Sequence, residues 1–277
     1  MIKNQLKNTA LNWPFQDKDY KEFTDNIWPR IDPIPGYLSK IEAFFLYMTA
    51  KNLRSDTRQV DQPKADSVVE IGSYKGRSTT AIGLGLKENT NARFSLVCVD
   101  PFFDESFEKG LKNEFIKNIS ASGLNDMVTL VSDYSSEAVK KWPFNKGIAM
   151  LWIDGNHEYE YVRNDFLLWS RFLVPGGVVA FHDWYLIGVK DTIIEYLFTS
   201  DSYQNLSVID WNIVASRKLD GSPSSEQRAN KKKIFWALRT GSTSPFIALA
   251  AMIYDLINRP FGNLRLFLKN RVNIQKV

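Results

Sequence analysis

The chain has 277 residues, of which 44% are hydrophobic and 13% aromatic, and 35 Lys and Arg against 31 Asp and Glu give a net charge of +4. A chain of this size and composition can bury a large apolar core, which excludes a wholly disordered protein. The single cysteine excludes an internal disulfide framework and a cysteine-rich zinc module.

The positive charge is concentrated in the last part of the sequence. From Gly221 onward there are ten basic and two acidic residues, so this part carries +8 and residues 1–220 carry −4. An acidic body with a basic tail argues against a nucleic-acid-binding surface spread over the protein, and we expect no nucleic-acid partner. The first fifteen residues lack the apolar core of a signal peptide, and no apolar run approaches the about 20 residues of a spanning helix. We therefore expect a cytoplasmic protein.

Residues 1–64 form the first of three predicted sections. Proline-rich loops, WPF and WPRIDPIPG, precede a predicted helix over 37–53 with an apolar stripe. We predict that this section is a helical lid next to the main domain.

Residues 65–220 form the second section, which is predicted to be an α/β domain. Apolar, β-branched runs predict strands at 67–72, 94–100, 127–133, 147–154 and 177–183. The segments between them predict helices near 76–88, 106–121, 135–141 and 158–172. This alternation predicts a doubly wound, mostly parallel, Rossmann-like sheet covered on both faces. The runs LSVIDW and NIVASRK predict a terminal antiparallel hairpin that brings the sheet to seven strands.

Residues 221–277 form the third section, a basic linker followed by a helical C-terminal extension. Its first part, GSPSSEQRANKKK, has the composition of a linker, and two helical patterns follow on either side of GSTSP. Three roles for these helices remain open: packing on the main domain, an interface in a homo-oligomer, or peripheral contact with an anionic membrane surface.

The first predicted strand ends in a glycine-containing loop, VVEIGSYKGRSTT. Ligands of open parallel sheets bind beyond the carboxyl ends of the strands, so this loop is a candidate binding site. After Glu70, Gly72 permits a sharp turn, Ser73 follows it, Gly76 permits close backbone approach, and Ser78 lies in the first turn of the next helix. Such a loop can hold a nucleoside or a carboxylate against backbone N–H groups. It matches neither G-x-G-x-x-G nor the phosphate-binding P-loop.

Acidic residues follow the second and third predicted strands. Asp100 ends the second strand, where a carboxylate can accept both hydroxyls of a ribose. Asp133 is placed to meet an adenine edge, or alternatively to cap the helix that follows it.

The stretch 152–184 contains both histidines of the chain. It places Asp154 and Asp183 at the ends of adjacent predicted strands, where two carboxylates can share a hard cation such as Mg²⁺. His157 follows Asp154 by about one helical turn. Because the pKa of a histidine is ordinarily near neutrality, His157 can take a proton from a hydroxyl bound at that cation.

These motifs resemble those of class I S-adenosylmethionine-dependent methyltransferases, in particular the branch with macrocin-type sugar O-methyltransferases and relatives of catechol O-methyltransferase. The resemblance covers residues 65–216 and is strongest in EIGSYKGRS, IDGNHEYE and LVPGGVVAFHDW. It implies an enzyme that uses S-adenosyl-L-methionine to methylate a hydroxyl of a small molecule or sugar. The cofactor-binding residues that it implies are Glu70, Gly72, Ser73, Gly76, Ser78, Asp100, Asp133 and Asp154.

The resemblance also implies a divalent ion held by Asp154, His182 and Asp183, with His157 as the catalytic base. The family usually has a carboxylate where this chain has His182. Imidazole is a poorer ligand for Mg²⁺ than an oxygen donor. Three alternatives therefore remain open: Mn²⁺ or another softer ion in place of Mg²⁺, binding through the two carboxylates alone, or a site without an ion.

Two other functions remain open at this point. One is an NAD-dependent oxidoreductase on the same sheet, which the missing G-x-G-x-x-G disfavours. The other is a non-catalytic binding protein with a methyltransferase fold, which the combination of His157 with Asp154 and Asp183 disfavours.

Overall fold

The computed structural model describes residues 16–55, 64–102, 110–210 and 212–240. The strands are β1 (Lys64–Ile71), β2 (Ser95–Val99), β3 (Val128–Val131), β4 (Lys146–Ile153), β5 (Leu173–Phe181), β6 (Tyr203–Ile209) and β7 (Ile213–Lys218). The α-helices are α1 (Asp17–Glu22), α2 (Trp28–Ile31), α3 (Lys40–Lys51), α4 (Arg77–Lys87), α5 (Leu111–Ala121), α6 (Ser135–Ala138), α7 (Tyr159–Trp169), α8 (Ile187–Thr192) and α9 (Ser225–Thr240).

The seven strands form one sheet in the order β3-β2-β1-β4-β5-β7-β6. Strands β1 to β5 pair in parallel, whereas β7 is antiparallel to both β5 and β6. The predicted doubly wound, mostly parallel sheet of Rossmann-like type is confirmed, including its terminal hairpin. Because parallel strands end at one edge of a sheet, this topology brings the loops after β1, β2, β4 and β5 together.

The two faces of the sheet are buried in separate apolar clusters. Along β1, Val68 packs in the cluster that contains Phe44 of α3, and Val69 packs in the cluster that contains Phe166 of α7. Neighbouring side chains point to opposite faces of a strand, so a sheet that is covered on both faces needs continuous apolar runs. This is why the central strands could be recognised from the sequence.

The N-terminal section has more helix than the sequence predicted. Helices α1 and α2 are joined by a short π-helical turn, Phe23–Ile27, within a region that was predicted as loops. Pro29 stands in the first turn of α2, where the backbone N–H that proline lacks has no helical partner to lose. Side chains of this section, including Phe44, are buried in the same cluster as Val68 of the sheet.

Two predicted boundaries were wrong for identifiable reasons, and one helical stretch was missed. Helix α3 begins at Lys40 and not at 37, because Ser39 caps it and forms a reciprocal pair of hydrogen bonds with Glu42. Strand β5 begins at Leu173 and not at 177, and its pairing with β4 shifts register at the Pro-Gly-Gly segment, where Gly176 has a φ of +80°. The helical stretch from Ile187 to Phe198 was not predicted.

Of the C-terminal section, the structure describes α9, which begins at Ser225, so most of the segment predicted as a linker is helical. In the described ranges no helix combines the length and apolar character needed to cross a membrane. The GSTSP break and the second helical pattern of the tail lie outside the described residues, and so do its predicted contacts with a membrane or a second subunit.

Candidate active site

A cavity of about 680 Å³ opens at the carboxyl ends of the central strands. This is the edge at which the topology predicts a ligand. The predicted site residues that line the cavity are Gly72, Ser73, Ser78, Asp100, Asp154, His157, His182 and Asp183. Residues 36–38 of the N-terminal section line it as well.

The loop between β1 and α4 depends on two glycines. Gly72 has a φ of +84°, and a Cβ atom added to it would lie 2.1 Å from the carbonyl oxygen of Asp154. Gly76, which precedes α4, has a φ of +86°, and a Cβ atom there would lie 3.2 Å from Phe115 and Ile119 of α5. Gly72 therefore makes a tight turn against the loop after β4, whereas Gly76 packs against α5 and is not among the residues that line the cavity.

Glu70 lies beneath this loop and not on the cavity wall. Its carboxylate accepts hydrogen bonds from the hydroxyls of Ser73 (3.0 Å), Ser78 (2.6 Å) and Thr79. Burial raises the pKa of Glu70 to about 7, against the opposing effect of these donors. The structure thus places Glu70 as a support for the loop, although the sequence predicted that it contacts the cofactor.

Asp100 connects the first two strand ends. Its Oδ2 atom accepts the backbone N–H groups of Ser73 (2.8 Å) and Tyr74 (2.9 Å), and its Oδ1 atom accepts that of Phe102 (2.8 Å). Tyr74 has a φ of +45°, a left-handed conformation that few residues with a side chain adopt. Asp100 therefore both orders the glycine loop and presents a carboxylate to the cavity.

Asp133 is not among the residues that line the cavity. Its Oδ2 atom lies 3.0 Å from Nζ of Lys141, and this ammonium lowers the pKa of Asp133. The next two residues, Tyr134 and Ser135, do line the cavity. At this corner Tyr134 and Ser135 face the cavity and Asp133 does not, and the predicted role of Asp133 stays a prediction.

Asp154, His182 and Asp183 converge at the ends of β4 and β5. The Nδ1 atom of His182 lies 3.1 Å from Oδ1 of Asp154 and 3.3 Å from Oδ2 of Asp183. One potential ligand atom from each of the three residues lies within 4.8 Å of the others. Asp183 has a φ of +50°, and such strained backbone is concentrated at functional sites. The three predicted metal ligands therefore form one cluster.

His157 lies next to this cluster on the cavity wall. Its Nε2 atom is 3.2 Å from Oδ2 of Asp183, and 40% of its side chain is exposed. Asp183 raises the pKa of His157. Burial acts to raise the pKa of Asp183, but the two neighbouring imidazoles hold it well below its usual range. His157 thus lies on the cavity wall with a carboxylate that favours its protonated form.

Residues 69–184, which run from β1 to just beyond β5, match the family model described as a methyltransferase domain. This segment contains the glycine loop, Asp100 and the Asp154–His182–Asp183 cluster. This segment is similar to methyltransferase domains. The resemblance predicted from the sequence motifs is confirmed.

Known proteins share this domain at low identity. An uncharacterized protein of Acanthamoeba polyphaga mimivirus, R132, is 32% identical over 117 residues, which are 42% of this chain and 50% of that protein. The chain thus spans about half the length of this curated relative.

Two solved structures have the same fold as the methyltransferase domain. The O-methyltransferase TomG from Streptomyces achromogenes, solved with S-adenosylmethionine, is 16% identical over 74% of this chain and 92% of that chain, with a TM-score of 0.50. The cofactor-bound protein Rv0187 from MTB is 14% identical over 76% of this chain and 94% of that chain, also with a TM-score of 0.50.

The cavity of the methyltransferase domain contains an acid that sequence reasoning missed. Asp165 of α7 is buried on the cavity wall, where its Oδ1 atom accepts a hydrogen bond from the hydroxyl of Ser135. Burial raises the pKa of Asp165 to about 6. In the sequence, Asp165 has the spacing of an ordinary polar residue on a helix. Nothing in the neighbouring sequence therefore identifies it as a residue of the cavity.

Two further residues behind the cluster were also missed. Glu42 of α3 is buried, with its Oε2 atom 3.5 Å from Nε2 of His182. The side-chain amide of Asn212, in the turn between β6 and β7, lies 2.9 Å from the same nitrogen. Burial acts to lower the pKa of His182, but Asp154, Asp183 and Glu42 together raise it to about 12. These residues come from sections far apart in the chain, so no sequence motif could connect them.

Proposed function

We propose that this protein is an S-adenosylmethionine-dependent O-methyltransferase that acts, with a divalent ion, on a hydroxyl of a small molecule or sugar. The observation that carries the proposal is the arrangement of the cavity. Its wall at β1 and β2 has the glycine loop and Asp100, and its wall at β4 and β5 has His157 beside the Asp154–His182–Asp183 cluster. One wall suits a nucleoside, and the other suits an ionisable hydroxyl.

The charge of the cavity supports S-adenosylmethionine and disfavours NAD. Carboxylates of Asp100, Asp154, Asp165 and Asp183 line it. The guanidinium of Arg77 also lines it but donates hydrogen bonds to the carbonyls of residues 32, 34 and 38. The imidazoles of His157 and His182 lie beside Asp154 and Asp183, so Asp100 and Asp165 are the carboxylates left to attract a cationic sulfonium and to repel the diphosphate of a dinucleotide. When bound, S-adenosylmethionine supplies a methyl group that the positive sulfur activates for transfer.

The donor set of the cluster fits a divalent ion. Asp154 and Asp183 offer carboxylate oxygens, and His182 offers Nδ1 on the side that faces both of them. Two oxygen donors and one imidazole suit Mn²⁺ better than Mg²⁺, which prefers oxygen ligands throughout. When bound, such an ion lowers the pKa of a coordinated hydroxyl and fixes its direction.

His157 is proposed to accept the proton of the acceptor hydroxyl. Because Asp183 stabilises the protonated imidazole, proton transfer to His157 leaves an ion pair in place of an isolated charge. Asp183 also restricts the orientation of the His157 ring. The glycine loop and residues 36–38 also line the cavity in which this transfer would take place.

Exposed aromatic rings near the cavity support a ring-shaped acceptor. Tyr37 is 88% exposed and lies on the cavity wall, with its ring centroid 6.4 Å from that of Tyr74. Tyr185, two residues after Asp183, is 56% exposed. Aromatic faces of this kind bind planar rings and the apolar faces of sugars.

Calorimetric titration with S-adenosylmethionine and then with NAD tests the proposal. We expect saturable binding of S-adenosylmethionine alone, followed by transfer of a radiolabelled methyl group to a hydroxyl compound. A protein that binds S-adenosylmethionine but methylates no member of a broad phenol and sugar panel would favour a non-catalytic binding role. Binding of NAD without S-adenosylmethionine would overturn the proposal.

A further inference from the structure

We propose that Asp165 of α7 is a specificity-determining residue for the cofactor: its carboxylate, oriented by Ser135, accepts the 6-amino group of adenine. Asp165 thereby selects adenine over a purine with a 6-oxo group. The inference deepens the proposed function and rests on its cofactor. It assigns base recognition to a side chain that lies outside the glycine loop and the strand ends, where the resemblance placed the cofactor-binding residues.

The first observation is an open carboxylate oxygen on the cavity wall. Asp165 lines the cavity, yet only 5% of the residue is exposed. Its Oδ1 atom accepts the hydroxyl of Ser135, which is its one hydrogen-bond partner among the described residues. Its Oδ2 atom lies beside the loop after β4, since a Cβ atom added to Gly155 would be 3.5 Å away. A buried carboxylate with one unpartnered oxygen is suited to a donor from a ligand.

The carboxyl of Asp165 is ionised at neutral pH. Burial raises its pKa to about 6, against the opposing effect of the Ser135 hydroxyl. An ionised carboxylate only accepts hydrogen bonds, so the open oxygen attracts an N–H group and repels a carbonyl oxygen. Because the side chain is largely shielded from water, this difference is larger than it would be on the surface.

Helix α7 holds the neighbouring Ser135 at two points. Asp165 accepts the hydroxyl of Ser135, and Nε1 of Trp169, one turn further along α7, donates to its backbone carbonyl at 3.3 Å. Trp169 belongs to the buried core, so the second contact is anchored there. The acceptor on the cavity wall is therefore fixed before a ligand arrives, which favours selective binding.

Aromatic side chains beside the pair suit a planar base. Tyr161 precedes Asp165 by one turn and shares its face of α7, and Tyr134 directly precedes Ser135. Both tyrosines line the cavity and are about half exposed, 52% for Tyr161 and 53% for Tyr134. Their rings offer contacts to the faces of a purine, while the carboxylate meets its edge.

The order of the strands indicates which part of the cofactor reaches this pair. The methyl group has to face His157 and the cluster after β4 and β5, and the ribose is expected at Asp100 after β2. Beyond β2 the next strand of the sheet is β3, and Tyr134 and Ser135 follow it on the cavity wall. The base of the cofactor therefore extends toward Ser135 and Asp165.

The experiment compares two ligands that differ only at position 6 of the purine. Isothermal titration calorimetry at neutral pH measures binding of S-adenosylhomocysteine and of S-inosylhomocysteine, its 6-oxo analogue, to the full chain without acceptor. We expect the wild type to bind the adenine ligand about 10- to 100-fold more tightly, the usual effect of a hydrogen bond to a charged group. Asp165→Asn, whose amide can donate to a 6-oxo group, should abolish or reverse this preference.

Two further variants separate base recognition from support of Ser135. Trp169→Phe removes the other restraint on Ser135 but leaves the carboxylate, so it should weaken both ligands alike and keep the preference. Asp133→Asn tests the rival acid at this corner and should also keep the preference, because Asp133 does not line the cavity. Circular dichroism melting curves identify any variant that fails to fold. Asp165→Ser, which withdraws the carboxylate from the base, then replaces Asp165→Asn.

A wild type that binds both ligands equally would overturn the inference, and so would a preference that is lost in Asp133→Asn and kept in Asp165→Asn. Equal weakening of both ligands in Asp165→Asn would also overturn it, because a residue that merely supports Ser135 has that effect. A wild type that binds neither ligand would overturn the proposed function and the inference with it.

Discussion

Gly72 lies so close to Asp154 that a Cβ atom on the glycine would be 2.1 Å from the carbonyl oxygen of the aspartate. The contact joins the glycine loop after β1 to the cluster after β4. The two halves of the candidate active site are therefore packed directly on each other, and a change in one is expected to displace the other.

Gly72→Ala should destabilise the protein by more than about 4 kcal/mol, because it adds an atom to a backbone contact and also forces alanine into a left-handed conformation. Urea denaturation measures the change. Gly110→Ala is the matched control: its φ is +87°, but no atom of the described residues lies within 4 Å of the added Cβ. Gly110→Ala should lower the free energy of unfolding by only about 1–2 kcal/mol. Equal losses in the two variants would contradict the close contact.

His157→Ala should lower the turnover number by about 10²- to 10⁴-fold, the usual contribution of a general base. The affinity for S-adenosylmethionine should stay close to that of the wild type. Steady-state kinetics and calorimetry measure the two quantities. His157→Gln, which can still contact Asp183 but cannot take a proton at neutral pH, should be equally inactive. An active glutamine variant would reduce His157 to a positioning role.

The carboxyl of Glu70 should make stability depend on pH. Burial raises the pKa of Glu70 to about 7, from 4.5 in the unfolded chain, so the folded state binds more protons between these values. The contribution of this carboxyl to the free energy of unfolding is fully present below pH 4.5. It declines by at most about 3 kcal/mol as the pH rises toward 7. The measurement compares urea denaturation of the wild type and Glu70→Gln from pH 4.5 to 8. Parallel pH profiles would contradict the raised pKa.

Arg77→Lys should destabilise the protein by about 1–3 kcal/mol. The guanidinium donates to the carbonyl oxygens of Asp32, Ile34 and Leu38, and a lysine ammonium cannot reproduce that geometry. Limited proteolysis should cut residues 32–38 faster in the variant. Arg171→Lys is the control, because Arg171 donates to the nearby carbonyl of Leu168 at an exposed position. Similar losses in both variants would contradict this role for Arg77.

The sequence alone determined the fold class, the order of the central strands along the chain and most of the candidate site. Continuous apolar runs mark strands that are buried on both faces, and Gly72, Asp100 and Asp154 stand where those strands end. Sequence patterns within each segment were enough to identify these strands and the residues at their ends, because backbone geometry and burial act on each segment separately. The same patterns predicted the cluster of Asp154, His182 and Asp183, since parallel strands end at a common edge of the sheet.

Only the tertiary structure decided what each acid does. Glu70 and Asp100 occupy similar positions at the ends of neighbouring strands, yet one is buried beneath the loop and the other faces the cavity. Asp165, Glu42 and Asn212 carry no sequence signal, because their roles come from contacts between segments that are far apart in the chain. Burial, and the partners that folding brings within hydrogen-bonding distance, determine the charge and chemistry of such groups.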